Sequence, residues 1–164
     1  MSPTAAAVLA ALRARGATLA VAESLTGGAL AAAVTAVPGA SAVFRGGVVA
    51  YASVVKVSLL DVPDEVVSRY GVVSAATAEA MATAARRRFE ATYALSTTGV
   101  AGPDRQEDQP VGTVHVGCAG PVDAVVSESL LLVGSRQQIR AQTCTAALAL
   151  LRRTVEGRGT GAGS

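Results

Sequence analysis

Ser24, Lys56 and Tyr51 are the residues of this chain whose types and settings best fit a reaction. Ser24 stands in Glu23-Ser24-Leu25-Thr26-Gly27-Gly28, where an apolar, strand-like run gives way to an Ala-rich, helix-like one. A hydroxyl at such a turn has free backbone N–H groups beside it, which can stabilise an oxyanion or hold a phosphate. The glycine pair lets a substrate approach the backbone. The competing account is that Ser24 or Thr26 only caps the helix. Lys56 stands out by composition: Lys and Arg together number 14, and Lys56 is the one Lys among them. The chain has no Asn and is crowded with Ala, Gly, Val and Arg, so Arg serves wherever any cation will do. A surviving Lys points to a position where guanidinium fails, because only an ammonium can lose its proton inside a protein and act as a base. Chance survival of one surface Lys is the alternative.

Lys56 lies among Val54, Val55, Val57 and Leu59, and a helix starting at Ser53 puts it in the first turn. Desolvation and the positive end of the helix dipole would both favour the neutral amine. A neutral amine beside Ser24 is the base a serine nucleophile requires. Tyr51, at the end of a strand-like run, can donate a hydrogen bond to the amine or the substrate, or be no more than a half-buried strand residue. Arg136 and Arg140 share a helix face at i, i+4 spacing and can clamp a phosphate or carboxylate, or be solvated. His115, the single His, alternates with Val114 and Val116 and reads as structural. No G-x-S-x-G elbow accompanies it. Cys118 and Cys144 lack metal-site spacing and read as buried reduced thiols, so neither metal nor cofactor is expected.

The elements that must position these residues follow from hydrophobic period and breakers. Helices are expected over 4–15, 28–37, 53–60, 63–70, 75–91, with Ser74 as N-cap, and 135–154. Strands are expected over 17–22, 46–52, 92–98, 112–118 and 124–133, the last two forming a hairpin through Gly120-Pro121. Strands alternating with helices in the first two-thirds predict a single three-layer α/β/α domain with a mixed, partly parallel sheet. The domain should span 1–156, followed by a Gly-rich flexible tail, 157–164. The loops after the first three strands, 23–28, 51–56 and 99–103, then open into one cleft, since ligands of such sheets bind beyond the carboxyl ends of the strands.

Composition narrows the function. Hydrophobic residues make up 51% and charged residues 16%, which excludes a disordered chain. A net charge of +2, with two Phe, three Tyr and no Trp, argues against nucleic acid. The basic run Arg86-Arg87-Arg88 fits a helix C-terminus. No apolar run has membrane-spanning length and no signal peptide is evident, so a cytoplasmic protein without a membrane partner is expected.

In order along the chain, Ala22 to Gly28, Phe44 to Tyr51 with Lys56, Val73-Ser74 with Thr77 and Met81, Gly99-Val100-Ala101-Gly102-Pro103-Asp104, Pro110 to Val114, and Arg136 with Ile139-Arg140 resemble the C-terminal domain of the competence/damage-inducible protein CinA family. The chain resembles the stand-alone form of that domain. Members include nicotinamide mononucleotide deamidases, which convert the carboxamide to the carboxylate and release ammonia. The resemblance implies a serine–lysine mechanism assisted by a tyrosine, with Ser24, Lys56 and Tyr51 at the matching positions. The expected substrate-binding set is Glu23, Leu25, Thr26, Gly27, Gly28, Gly46, Gly47, Thr98, Gly99, Ala101, Gly102, Arg136 and Arg140. The expected oxyanion donors are the N–H groups of residues 25–27. The expected partner is a small pyridine nucleotide, and a homodimer or larger homo-oligomer is expected, packed through Ala-rich faces such as 29–36. A non-catalytic nucleotide- or partner-binding module of the family is the alternative function. Two departures from the family bear on specificity. The loop Arg105-Gln106-Glu107-Asp108-Gln109 lacks the family's glycines and is about one residue shorter, and Ser53 stands where Asn is frequent.

Overall fold

The computed structural model describes residues 3–157. The elements are α1 (Pro3–Ala14), β1 (Leu19–Glu23), α2 (Ala29–Thr35), β2 (Phe44–Val49), α3 (Ser53–Ser58), α4 (Asp64–Tyr70), α5 (Ala75–Arg88), β3 (Tyr93–Gly99), β4 (Thr113–Ala119), β5 (Val125–Leu131) and α6 (Arg136–Gly157). A single 3-10 turn, Ala40–Ala42, precedes β2. The five-stranded sheet has the order β2-β1-β3-β4-β5. β1 runs parallel to β2 and β3, and β3–β4 and β4–β5 are antiparallel. The mixed three-layer sheet expected from the sequence is therefore present.

Side-chain alternation along the strands sorts two unlike faces. Leu19, Val21, Leu95, Val114 and Val116 point into the larger core, shared with α1, α2 and α6. Ala20, Ala22 and Ala94 point the other way, toward Met81 and Ala85 of α5. The second face is small because α5 lies directly on it: a Cβ on Gly117 would stand 2.6 Å from the Ala78 carbonyl oxygen. Ser96 Oγ donates to that same carbonyl. Ser74 caps α5, its Oγ accepting from Thr77 N–H at 3.1 Å.

Two boundaries differ from expectation. β2 ends at Val49 and not at residue 52, because the chain turns there and points the Ala50 carbonyl at Lys56. Helix α6 continues through Gly157, the first residue of the expected tail, and 158–164 lie outside the described residues. Among the described residues, no helix is long and apolar enough to cross a membrane.

Candidate active site

β1 is the central parallel strand and every residue in it is buried. It ends at Glu23, so the chain must turn at Ser24. Ser24 N–H donates to Thr97 O at 3.0 Å, which fixes the turn against the neighbouring strand β3. Thr26 Oγ1 lies 2.8 Å from Thr97 Oγ1, a second tie to β3. The turn is braced from the opposite side by α6. Arg140 Nε donates to Leu25 O at 3.0 Å and its Nη2 to Thr26 O at 2.7 Å.

Lys56 is 2% exposed. Its Nζ lies 3.0 Å from Ser24 Oγ, 2.9 Å from Ala50 O and 3.3 Å from Tyr51 O. Burial lowers its pKa from the ordinary 10.5 to about 8, and the Glu107 carboxylate opposes this by favouring the cation. The cause differs from the helix dipole expected at the sequence level. Helix α3 has six residues, Lys56 lies in its last turn, and Nζ faces carbonyl oxygens, which favour the charged form. Desolvation is what moves it.

A cavity of about 120 Å³ opens at this point. Ser24, Leu25, Tyr51, Lys56, Thr98, Gly99, Ala101, Gly102 and Arg136 line it, so the three predicted loops do share one cleft. Thr98 is buried and its Oγ1 donates to Val72 O at 2.7 Å. Tyr51 is 56% exposed, which excludes a half-buried strand role. Its hydroxyl accepts from Arg136 Nη2 at 2.8 Å, and its backbone carbonyl, not its hydroxyl, meets the amine. Arg136 Nη1 also donates to Gly102 O at 2.6 Å, tying the third loop to α6.

Seven of the expected contacts sit elsewhere, each for a physical reason. Glu23 is 1% exposed, and its carboxylate accepts from the N–H groups of Gly28 at 3.2 Å, Leu30 at 2.8 Å and Ala31 at 3.1 Å. It caps α2 and fills the helix N-terminus that was expected to receive an anion. Gly27 N–H donates to Ser24 O, so Leu25 and Thr26 carry the remaining amides of the turn. Gly27 and Gly28 take φ of 57° and 100°, the left-handed region that favours glycine, and they line no part of the cavity. Thr26 is held by Thr97, and Arg140 by the two carbonyls it braces. Gly46 and Gly47 are packing glycines of β2: a Cβ would stand 3.0 Å from the Phe89 ring at Gly46 and 2.4 Å from Val21 Cγ2 at Gly47.

Sequence reasoning missed Val72, Val73, Val100 and Gln106, which also line the cavity, and left Asp104 outside the substrate-binding set. Nothing in the types of Val72 and Val73 marks them, although their place just before the α5 N-cap could have put them at the sheet's open end. His115 lies away from the cleft, its Nδ1 2.8 Å from Ser129 Oγ. Among the described residues, no group of three or more His, Cys, Asp and Glu is placed to hold a metal.

Comparison with known proteins bears on this arrangement. Residues 1–155 match the family model of the CinA C-terminal domain. A CinA-like protein of Frankia casuarinae is 55% identical over 150 residues, 92% of this chain and 34% of the relative. One from Solibacter usitatus is 47% identical over 148 residues, 90% of this chain and 35% of the relative. The chain thus spans about a third of the length of these relatives. Among solved structures, a CinA superfamily protein of Klebsiella pneumoniae superposes with a TM-score of 0.90 at 32% identity, covering 94% of this chain and 96% of that one. The competence/damage inducible protein CihA of Agrobacterium tumefaciens gives 0.88 at 33% identity, covering 93% of each chain.

Proposed function

The chain belongs to the CinA C-terminal domain family, and from that premise we propose that it is a metal-independent amidohydrolase that deamidates nicotinamide mononucleotide to nicotinate mononucleotide and ammonia. The observation that carries the reading is the buried Lys56 amine 3.0 Å from Ser24 Oγ.

As a neutral amine, Lys56 has two N–H donors and one lone pair. The donors match Ala50 O and Tyr51 O, and the lone pair then faces the Ser24 hydroxyl. A pKa of about 8 leaves a usable neutral fraction near neutrality. Lys56 takes the Ser24 proton as Oγ attacks the carboxamide carbon. The Leu25 N–H lies beside the nucleophile and stabilises the oxyanion. The Lys56 ammonium then returns a proton to the departing nitrogen, the C–N bond breaks, and ammonia leaves. Water attacks the acyl-enzyme with Lys56 again as base, which regenerates Ser24 and gives the carboxylate.

Arg136 and the loop 99–102 hold the phosphate end of the substrate, since Arg140 is engaged on the Ser24 turn. Tyr51 shapes the mouth through Arg136. The experiment is ammonia release from nicotinamide mononucleotide in chelator-treated buffer. Wild-type protein releases it, and Ser24→Ala and Lys56→Arg do not. Release that persists in either variant rejects the mechanism.

A further inference from the structure

The loop between β3 and β4 folds back over the cleft. Glu107 and Asp108 take φ of 51° and 60°, and Gln109 N–H closes the turn on Gln106 O at 2.8 Å. This conformation aims the Glu107 side chain at the segment ahead of α5. Its Oε1 accepts from Val72 N–H at 3.0 Å and its Oε2 from Val73 N–H at 3.1 Å. One carboxylate thus takes two consecutive backbone amides, both by charge-assisted bonds. The Val72 carbonyl is held from the other side by Thr98 Oγ1 at 2.7 Å.

Val72, Val73, Thr98 and Gln106 wall the same cavity as Ser24 and Lys56. With the loop docked, that cavity measures about 120 Å³, well below the roughly 300 Å³ at which small-molecule sites begin. The strap must lift for a mononucleotide to enter fully. Glu107 is also the charged group whose effect reaches Lys56. Asp104 and Arg136 line the cavity too, Tyr51 lies at its mouth, and the Glu23 carboxylate is turned away onto the α2 amides.

We propose that Glu107 is a latch and a positioning residue of this cleft: docked on the Val72 and Val73 amides, it holds the mouth closed and sets a negative charge near Lys56, and its release admits substrate. The proposal rests on the Ser24–Lys56 reading above. A strap that only stabilised the loop would share the hydrogen bonds but would not govern the amine.

Lys56 is the only lysine, so protein grown on ¹³Cε-lysine carries one side-chain signal whose pH titration reads this amine directly. Amide hydrogen exchange at Val72 and Val73 reads the latch in the same samples. Glu107→Gln keeps the size and one acceptor while removing the charge, and its titration midpoint falls below the wild type's. Glu107→Ala frees the strap: Val72 and Val73 exchange at least ~10-fold faster, and water entering the cleft moves the midpoint upward. Asp108→Asn makes the same change of net charge next door and alters neither. A Glu107→Gln midpoint at or above the wild type's overturns the proposal. So does a Glu107→Ala protein whose two amides exchange as slowly as before, or an Asp108→Asn shift equal to that of Glu107→Gln. A wild-type midpoint at the ordinary 10.5 instead sinks the base reading itself, and is told apart because it needs no variant.

Discussion

This protein contains two serine–base pairs at hydrogen-bonding distance, and only one of them is built to react. Lys56 Nζ lies 3.0 Å from Ser24 Oγ, and His115 Nδ1 lies 2.8 Å from Ser129 Oγ. Burial lowers the pKa of both bases. The shorter pair is nevertheless the inert one. It sits in the middle of two antiparallel strands, His115 directly opposite Ser129 in the β4–β5 register, with the serine exposed. Ser24 stands where a parallel strand ends, beside the free amide of a turn and inside a cleft. Proximity of a hydroxyl and a base is cheap in any sheet; what separates the pairs is the topology that leaves room for a substrate.

The widest gap between the pairs should appear on their removal. Ser24→Ala and Lys56→Arg are expected to lower kcat for amide hydrolysis by ~10³-fold or more, measured as ammonia release. Lys56→Arg is the sharper of the two, since it keeps a cation and loses the base. The rate in the wild type should rise with pH as Lys56 loses its proton, with a midpoint near 8. A rate flat from pH 6 to 10 would break the comparison.

Loosening the turn without touching the pair should cost less. Arg140→Ala removes both braces on the Leu25 and Thr26 carbonyls and is expected to reduce kcat by ~10–100-fold, with KM little changed. The active pair should also weigh on stability. Lys56 binds protons less readily folded, at about 8, than unfolded, at 10.5, so the unfolded chain holds more protons between those values. Stability therefore rises as pH climbs from 8 to 10.5, and below 8 the full penalty of roughly 3 kcal/mol is present. Lys56→Met should raise Tm at pH 7, with the gain shrinking above pH 8, as calorimetry across that range would read. At the small end, His115→Ala and Ser129→Ala should leave kcat/KM within about twofold of wild type, and a larger loss would put the second pair back in contention.

Much of this was legible before any coordinates. The solitary Lys against an Arg-rich background identified the base, and strand–helix alternation brought the three loops to one end of the sheet. What could not be read was the direction in which side chains turn once there. Glu23 precedes Ser24 and so resembled a site residue, yet the α2 amides lie on its other side and take its charge. The i, i+4 spacing correctly placed Arg136 and Arg140 on one face, but their partners are carbonyls of loops distant in sequence. Gly46 and Gly47 looked permissive, whereas Phe89 and Val21 across from them require their smallness. Glu107 carried no signal at all, because its role depends on a loop conformation with two successive left-handed residues.

The carboxylate of Glu23 has a further effect. By satisfying three amides at the start of α2, it cancels the positive pole of that helix on one flank of the cleft, while the Arg136 guanidinium stands at the other. The two flanks are electrically unlike, so an elongated anion can lie across the opening in one sense only, headgroup toward α6 and neutral ring toward β1. Regiochemistry at this site is thus decided by a residue that no substrate atom reaches.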